Sequence, residues 1–141
     1  MTPGYVTFRL GEREFATPLA EVREVVRLTG LQVLPGMEPP LVGVIQLRGN
    51  PLPVLDVRSL DRRGSDQTPG DVLVVVRNGE PCGIAVDTVT AVCGAGELHS
   101  TNEGSVGALP GYVVEVLRDA TGPVMLVDLE RLVASLELAR A

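Results

Sequence analysis

The sequence contains an internal duplication, and this feature restricts the possible folds more than any other. In the first part of each half, a shift of 67 residues places Val6, Phe8, Phe15, Ala16, Leu19, Val22 and Val25 on Leu73, Val75, Cys82, Gly83, Val86, Val89 and Val92. In the second part the shift is 72, which places Leu41, Val42, Val44, Pro51, Val54, Leu55, Asp56, Val57 and Leu60 on Val113, Val114, Val116, Pro123, Leu126, Val127, Asp128, Leu129 and Leu132. Apolar residues fall on apolar residues, and small on small. The chain is therefore predicted to build the same unit twice.

Each half is predicted to consist of short antiparallel strands. Gly11 and the pair Asn78-Gly79 mark hairpin turns. Segments of β-branched residues with period two predict strands at 5–10, 41–47, 52–57, 71–76, 83–86, 111–117 and 124–127. Frequent glycine and proline between short strands favour small barrels or a sandwich over a parallel α/β sheet. The expected fold is all-β with short helices.

One segment has helical periodicity. Apolar residues at i, i+3, i+4 and i+7 predict a C-terminal helix over 129–138, with an apolar face formed by Leu129, Leu132, Val133 and Leu136. The 141 residues fit a single domain, 1–141, of two small lobes. Lobe one is expected at about 5–61 and lobe two at about 71–133, with a polar linker at 62–70 and the helix packed across the lobes.

The charge of the chain argues against nucleic-acid partners and membrane surfaces. Twelve arginines, with no lysine, face 18 carboxylates, which gives a net charge of −6 and a pI near 4.7. The aliphatic runs 41–45 and 72–76 are far shorter than the ~20 residues of a membrane span. Residues 1–4 show no export signal, so we expect a cytoplasmic protein with reduced thiols at Cys82 and Cys93.

Catalytic and metal-binding motifs find little support, and we predict no enzyme activity, cofactor or metal. His99 is the only histidine, and its spacing from the two cysteines offers no paired ligands. Asp87-Thr88 resembles one half of an aspartic protease dyad, but the repeat mate of Asp87 is Ala20. Asp56 and Asp128 are true repeat mates. Each follows a strand and precedes an apolar helical turn, where an aspartate caps free N–H groups.

The halves differ at two charged residues. Arg48 follows the third strand of the first half, and its repeat mate is Ala120. It is either an exposed arginine beside a Gly-Asn turn or an interface residue. Glu24 has the same two interpretations. It would by default lie on the solvated face of a short amphipathic element whose apolar side is Val22, Val25 and Val26.

At these residues the sequence resembles the CheW-like domain family of bacterial chemotaxis. The resemblance covers about residues 5–133. Its lobe-one motifs are Phe8-Arg9-Leu10-Gly11, Phe15-Ala16, Pro18-Leu19, Val22-Arg23-Glu24-Val25, Pro35, Leu41-Val42-Gly43-Val44, Leu47-Arg48-Gly49 and Pro53-Val54-Leu55-Asp56-Val57-Arg58. Its lobe-two motifs are Gly83-Ile84-Ala85-Val86-Asp87, Val89, Val92 and Leu126-Val127-Asp128-Leu129. Two residues depart from the family pattern: Gln46 replaces an asparagine, and Glu115 replaces a small residue in a glycine-rich strand.

The resemblance implies two pseudo-symmetric five-stranded β-barrel lobes about a pseudo-two-fold axis, and a non-catalytic adaptor. The implied partners are the cytoplasmic hairpin tip of a chemoreceptor and the regulatory domain of a CheA-type histidine kinase, at membrane-associated receptor arrays. The implied receptor groove consists of Val22, Glu24, Val44, Arg48, Val86 and Val89. The kinase is expected to contact the opening hairpin at Gly11, Glu12 and Arg13. A divergent paralogue that binds the kinase without a receptor, and an enzyme with an unrecognised pocket, are the alternatives.

Overall fold

The fold was analysed in a computed structural model that describes residues 4–38, 40–57, 69–100 and 110–140. Its strands are β1 (Gly4–Leu10), β2 (Arg13–Pro18), β3 (Glu24–Arg27), β4 (Leu41–Leu47), β5 (Asn50–Asp56), β6 (Asp71–Arg77), β7 (Glu80–Val86), β8 (Thr88–Gly94), β9 (His99–Ser100), β10 (Val113–Asp119) and β11 (Gly122–Val127). One helix, α1 (Leu129–Arg140), follows the last strand, and 3-10 turns lie at Leu19–Glu21 and Ala95–Glu97. The prediction of a mostly β chain with a C-terminal helix is confirmed. Most of the predicted linker, 62–70, lies outside the described residues.

One local prediction is wrong. The element around Glu24 is a strand, β3, whose neighbouring residues point to opposite sides. Val22 is buried and Val26 packs against the inside of a sheet, whereas Val25 is 39% exposed. The three valines therefore do not form one apolar side, because a strand alternates faces with period two. The corresponding segment of the second half is also a strand, β8.

The strands form two sheets, and each sheet combines strands from both halves of the sequence. Sheet A has the order β8-β1-β2-β11-β10-β9, and sheet B has the order β3-β6-β7-β5-β4. The opening hairpin of each half thus lies in the sheet that contains the later strands of the other half. The parallel pairs β2–β11 and β5–β7 make this exchange. The extents predicted for the two lobes stay a prediction.

The exchange repeats with the same register in both sheets. Ala16 pairs with Leu126 in sheet A, and their repeat mates Gly83 and Val54 pair in sheet B. Val6 pairs with Val92 in the same way as Leu73 pairs with Val25. The duplication seen in the sequence is therefore a structural duplication down to individual residue pairs. Among the described residues neither sheet closes on itself, so each sheet is a curled half-barrel.

Three apolar clusters hold these elements together. One lies inside each curled sheet: Ile45, Leu52 and Val54 belong to the cluster of sheet B, and Leu117 and Val124 to that of sheet A. The third and largest cluster contains residues of both sheets and of α1, including Val6, Phe8, Leu73, Ile84, Val86, Leu129, Leu132 and Val133. The stacked rings of Phe8 and Phe15 lie in it with their centroids 5.7 Å apart. Burial of this shared face joins the two half-barrels.

The helix begins as the sequence predicts. The Arg131 amide donates to Asp128 Oδ1 at 3.2 Å, so Asp128 caps the first turn of α1. The equivalent prediction for Asp56 concerns a turn that reaches Leu60, and residues 58–60 lie outside the described part of the chain. Among the described residues, no helix has the length and apolarity that a membrane crossing would require.

Candidate functional site

Glu24 and Arg48, both expected in the receptor groove, form an ion pair at the open edge of sheet B. Arg48 donates through Nη1 to Glu24 Oε1 at 2.9 Å and through Nη2 to Oε2 at 2.5 Å. Glu24 begins edge strand β3, and Arg48 follows the opposite edge strand β4. The pair therefore spans the gap between the two edges of the half-barrel. The sequence predicted both residues for the site but not their contact.

The backbone of the turn after β4 sets the position of this arginine. Leu47 pairs with Asn50, which leaves Arg48 and Gly49 as a two-residue hairpin loop. Their φ angles are +49° and +81°, as the favoured hairpin geometry requires. A left-handed backbone is uncommon for a side chain as long as arginine. A large cation thus occupies a turn position where glycine or asparagine is usual.

The pair is accessible to solvent and to a partner. The side chains of Arg48 and Glu24 are 67% and 25% exposed. The hydrogen bond and charge of Arg48 lower the pKa of Glu24 below its ordinary value of 4.5, and Glu24 in turn raises the pKa of Arg48. Both groups therefore stay charged near neutral pH. Because water screens exposed ion pairs, the contact contributes little to folding.

The other four residues expected in the groove occupy different environments. Val22 and Val86 are buried in the cluster shared by the two sheets, at 9% and 0% exposure. Val89 is half-buried and packs against the same cluster. Val44 is half-buried on β4. In this conformation, Val22 and Val86 lie under the surface and have little or no area to offer a partner. The groove assignment as a whole stays a prediction.

An exposed apolar segment beside Val44 was not predicted. Gln32 forms a backbone bridge with Val44, and the neighbouring side chains of Leu31, Val33 and Leu34 are 37%, 72% and 47% exposed. Gly43 permits this approach, because a Cβ there would lie 2.6 Å from Leu31 Cδ1 and 2.7 Å from the Gln32 carbonyl oxygen. The signal in the sequence was an apolar run between Gly30 and Pro35, which no strand pattern claimed.

The hairpin expected to meet the kinase is held by a contact from the other half of the chain. The Gly11 amide donates to Asp87 Oδ2 at 2.6 Å, and the Asp87 amide donates to the Arg9 carbonyl at 3.2 Å. Gly11 has φ +64°, so glycine fits this turn. Glu12 and Arg13 are exposed. Asp87 therefore positions the turn, a role that sequence reasoning did not identify. Their contact with a kinase stays a prediction.

Glu115 has a defined structural role. Its carboxylate accepts a hydrogen bond from Ser100 on the adjacent strand β9. It is the repeat mate of Gly43, so sheet A carries a side chain at a position where sheet B has no room for one. Strand β9 pairs with Leu117 and Arg118, farther along β10 than the position equivalent to the Gln32–Val44 bridge. Glu115, which departs from the family pattern, therefore lies where the edge of sheet A is paired differently from the edge of sheet B.

The two cysteines and the histidine were weighed in the sequence as metal ligands. Neither Cys82 nor Cys93 forms a disulfide, and both side chains are half-buried. Burial, together with the charges of Glu97, Asp119 and Glu14, raises the pKa of Cys93. Within the described ranges, no three His, Cys, Asp or Glu side chains are grouped so that they could hold a metal ion.

Comparison with known proteins gives consistent results. The CheW-like domain family matches residues 4–137. A probable chemotaxis protein CheW of Rhizobium etli is 32% identical over 89 residues, which are 62% of this chain and 57% of that protein. Chemotaxis protein CheW of Treponema pallidum is 22% identical over 143 residues, covering 96% of this chain and 84% of that protein. The crystal structure of scaffolding protein TtCheW from Thermoanaerobacter tengcongensis superposes with a TM-score of 0.72 at 21% identity, covering 94% of this chain and 92% of that one.

Proposed function

The chain belongs to the CheW-like domain family, and on this basis we propose that it is a non-catalytic scaffold that couples chemoreceptors to a CheA-type histidine kinase. The receptor would bind through its cytoplasmic hairpin tip, and the kinase through its regulatory domain. The chain would then work in the cytoplasm at membrane-associated receptor arrays. The relatives named as chemotaxis protein CheW support the pathway.

The observation that carries the receptor half of the proposal is the Glu24–Arg48 pair. An exposed pair contributes little to folding, and it orders two long side chains. Its arginine also occupies a backbone conformation that few large residues adopt. These costs are easier to understand if the pair presents charge to a partner. Arginine is also one of the residue types that are enriched in binding hot spots.

The kinase half of the proposal is supported by the opening hairpin. Glu12 and Arg13 are exposed on a turn whose backbone is fixed by Asp87, so they would meet a partner without first being ordered. This turn is held by the second half of the chain, whereas the Glu24–Arg48 pair belongs to the open edge of sheet B. We therefore propose two separate contact surfaces.

The test measures binding of the purified chain to two partners: the regulatory domain of the cognate kinase and a cytoplasmic fragment of the receptor. We expect the wild-type chain to bind both. Arg48→Glu should weaken receptor binding by about 30- to 1000-fold, since it removes a hot-spot cation and places two carboxylates together. Kinase binding should stay within about threefold, because rim charges at a remote surface have small effects.

Unchanged receptor affinity in Arg48→Glu would remove this arginine from the proposed receptor site. Binding of the kinase alone would favour the divergent paralogue of a non-chemotactic array, an alternative that the burial of Val22 and Val86 supports. Binding of neither partner, together with turnover in an activity screen, would refute the scaffold proposal in favour of an enzyme.

A further inference from the structure

Sheet A contains an open cleft of about 990 Å³ between its two edge strands. One wall is β8, from Thr90 to Cys93, and the other is β9 with the turn between β10 and β11. Within the part of the chain that the structure describes, strand β8 pairs with β1 alone, and β9 pairs with β10 alone. Each wall is therefore the outer edge of a sheet, and backbone groups on such an edge can pair with a further strand.

The repeat shows why the cleft is open. In sheet B the equivalent gap is bridged by Glu24 and Arg48, and the pocket beside Arg48 holds only about 190 Å³. The mate of Glu24 is Ala91, since Glu24 pairs with Val74 as Ala91 pairs with Thr7. The mate of Arg48 is Ala120, which also lies in a two-residue loop at the same register. Both alanines line the cleft and both are exposed. Sheet A thus lacks both halves of the ion pair that bridges sheet B.

The interior of the cleft carries polar side chains at positions that are apolar in sheet B. Val74, Val26 and Leu47 belong to or pack against the apolar cluster inside sheet B. Their mates in sheet A are Thr7, Cys93 and Asp119, and all three line the cleft. Polar groups on a concave surface supply orientation and specificity to a bound ligand. The cleft is therefore suited to a partner that carries polar or charged groups.

The charge of the cleft is negative. Among the described lining residues are three carboxylates, Glu14, Glu97 and Asp119, and one arginine, Arg118. Arg9 pairs with Glu14 at 3.2 Å, but Glu97 and Asp119 accept hydrogen bonds from the neutral groups of Gly94, Thr121 and Gly122. Such bonds leave the negative charge in place. Burial raises the pKa of Cys93, which lines the cleft, and the charges of these three carboxylates raise it further.

We propose that this cleft binds an extended, basic segment of a partner protein. The segment pairs its backbone with the free edge of sheet A, and its arginine or lysine occupies the position that Arg48 fills in sheet B. Strand addition to a free edge, with side chains read by adjacent pockets, is a common mode of peptide recognition. The comparison of the two sheets supports this assignment, because in sheet B the chain itself supplies an arginine, Arg48, at the position that Ala120 occupies in sheet A.

The test uses two labelled heptapeptides, one alternating valine with arginine and one alternating valine with glutamate. Valine at alternate positions favours the extended conformation in both. We expect the purified chain to bind the arginine peptide at least about tenfold more tightly than the glutamate peptide. Backbone amide signals of Thr90–Cys93 and His99–Ser100 should shift on titration, while those of Glu24–Arg27 should not. The argininamide monomer should bind at least about tenfold more weakly than the arginine peptide, because it cannot add a strand.

The decisive variant is Ala91→Glu/Ala120→Arg, which places a glutamate and an arginine at the positions in sheet A that are equivalent to Glu24 and Arg48. Because both alanines are exposed and the net charge is unchanged, the fold and the long-range field are preserved. We expect this variant to bind the arginine peptide at least about tenfold more weakly. The matched control is Gln32→Glu/Gln46→Arg, which adds the same charges at exposed positions of sheet B and should bind as the wild type does.

A second measurement does not depend on these variants. In a Cys82→Ser background, the bound arginine peptide should slow the reaction of Cys93 with a thiol reagent. The proposal would be overturned if the two peptides bound with equal affinity, or if argininamide bound as tightly as the arginine peptide. It would also be overturned if folded Ala91→Glu/Ala120→Arg bound the arginine peptide as wild type does, or if the bound peptide left Cys93 unprotected. These experiments contain neither kinase nor receptor, so their outcome is independent of the proposed scaffold function.

Discussion

Replacement of Asp87 by alanine tests whether the two halves of the chain hold the opening hairpin in place. The Gly11 amide and Asp87 Oδ2, 2.6 Å apart, join residues 76 positions apart in the sequence. A hydrogen bond to a charged acceptor contributes about 1.5–3 kcal/mol to stability, and this one is partly shielded from water. We expect Asp87→Ala to lower the free energy of unfolding by about 2 kcal/mol.

For a chain of this size that loss corresponds to a fall in melting temperature of roughly 6–10 °C. Asp87→Asn keeps an acceptor oxygen and should lose about half as much, since a bond between neutral groups contributes about 1 kcal/mol. Glu12→Ala in the same turn removes an exposed side chain and should change stability by less than about 0.5 kcal/mol. Urea unfolding and calorimetry of the four proteins give these values.

The same variants separate positioning from contact. If the hairpin contacts the kinase as proposed, Asp87→Ala should bind the kinase more weakly than wild type does, and its receptor affinity should stay close to wild type. Both affinities are measured well below the melting temperature of the variant. A stability of Asp87→Ala within about 0.5 kcal/mol of wild type would refute the reasoning, because the bond would then have no measurable role.

Three further predictions concern sheet B. The double variant Glu24→Arg/Arg48→Glu restores the pair with reversed charges, so its melting temperature should match wild type while receptor affinity stays low; recovered affinity would show that the pair only shapes the surface. In a carbon NMR titration, the pKa of Glu24 should lie below its ordinary value of 4.5, and it should rise in Arg48→Ala. Because the pKa of Glu24 is lowered in the folded state, its pairing with Arg48 stabilises the fold above that ordinary value. This stabilisation is lost as the pH falls through the folded pKa. Gly43→Ala should lower the free energy of unfolding in urea by about 1–3 kcal/mol, because the added Cβ would lie 2.7 Å from a backbone oxygen. As the control, Gly111→Ala has open space around the added Cβ and should lower the free energy of unfolding by less than about 0.5 kcal/mol.

The sequence by itself determined the local elements and their repetition. Strand 41–47 was predicted with its observed bounds, and the Asn78-Gly79 hairpin and the Asp128 cap of α1 were also read directly. These features depend on a residue's own backbone preference and on neighbours within a few positions. Duplication added a second, independent copy of each pattern. Family membership followed from the same order of motifs.

Only the tertiary structure decided how the two copies combine. Each opening hairpin lies in the sheet of the other half, and the sequence could not have shown this. The hairpin apolar patterns are repeat mates, such as Phe15 and Cys82, so either hairpin satisfies the period-two requirement of either sheet. Burial followed from the same choice: the sequence treated Val22 and Val86 as site residues, and the packing of two sheets against α1 buried them.

The Glu24–Arg48 contact and the open cleft of sheet A also belong to the tertiary structure. Both arise where two edge strands of one curled sheet approach, and the curl is set by twist and core packing along the whole sheet. A pattern of single residues records the charge of Glu24 or the small size of Ala91, but not the distance between opposite edges. That distance depends on contacts among strands that are far apart in sequence, because sheets are stabilised by long-range pairing.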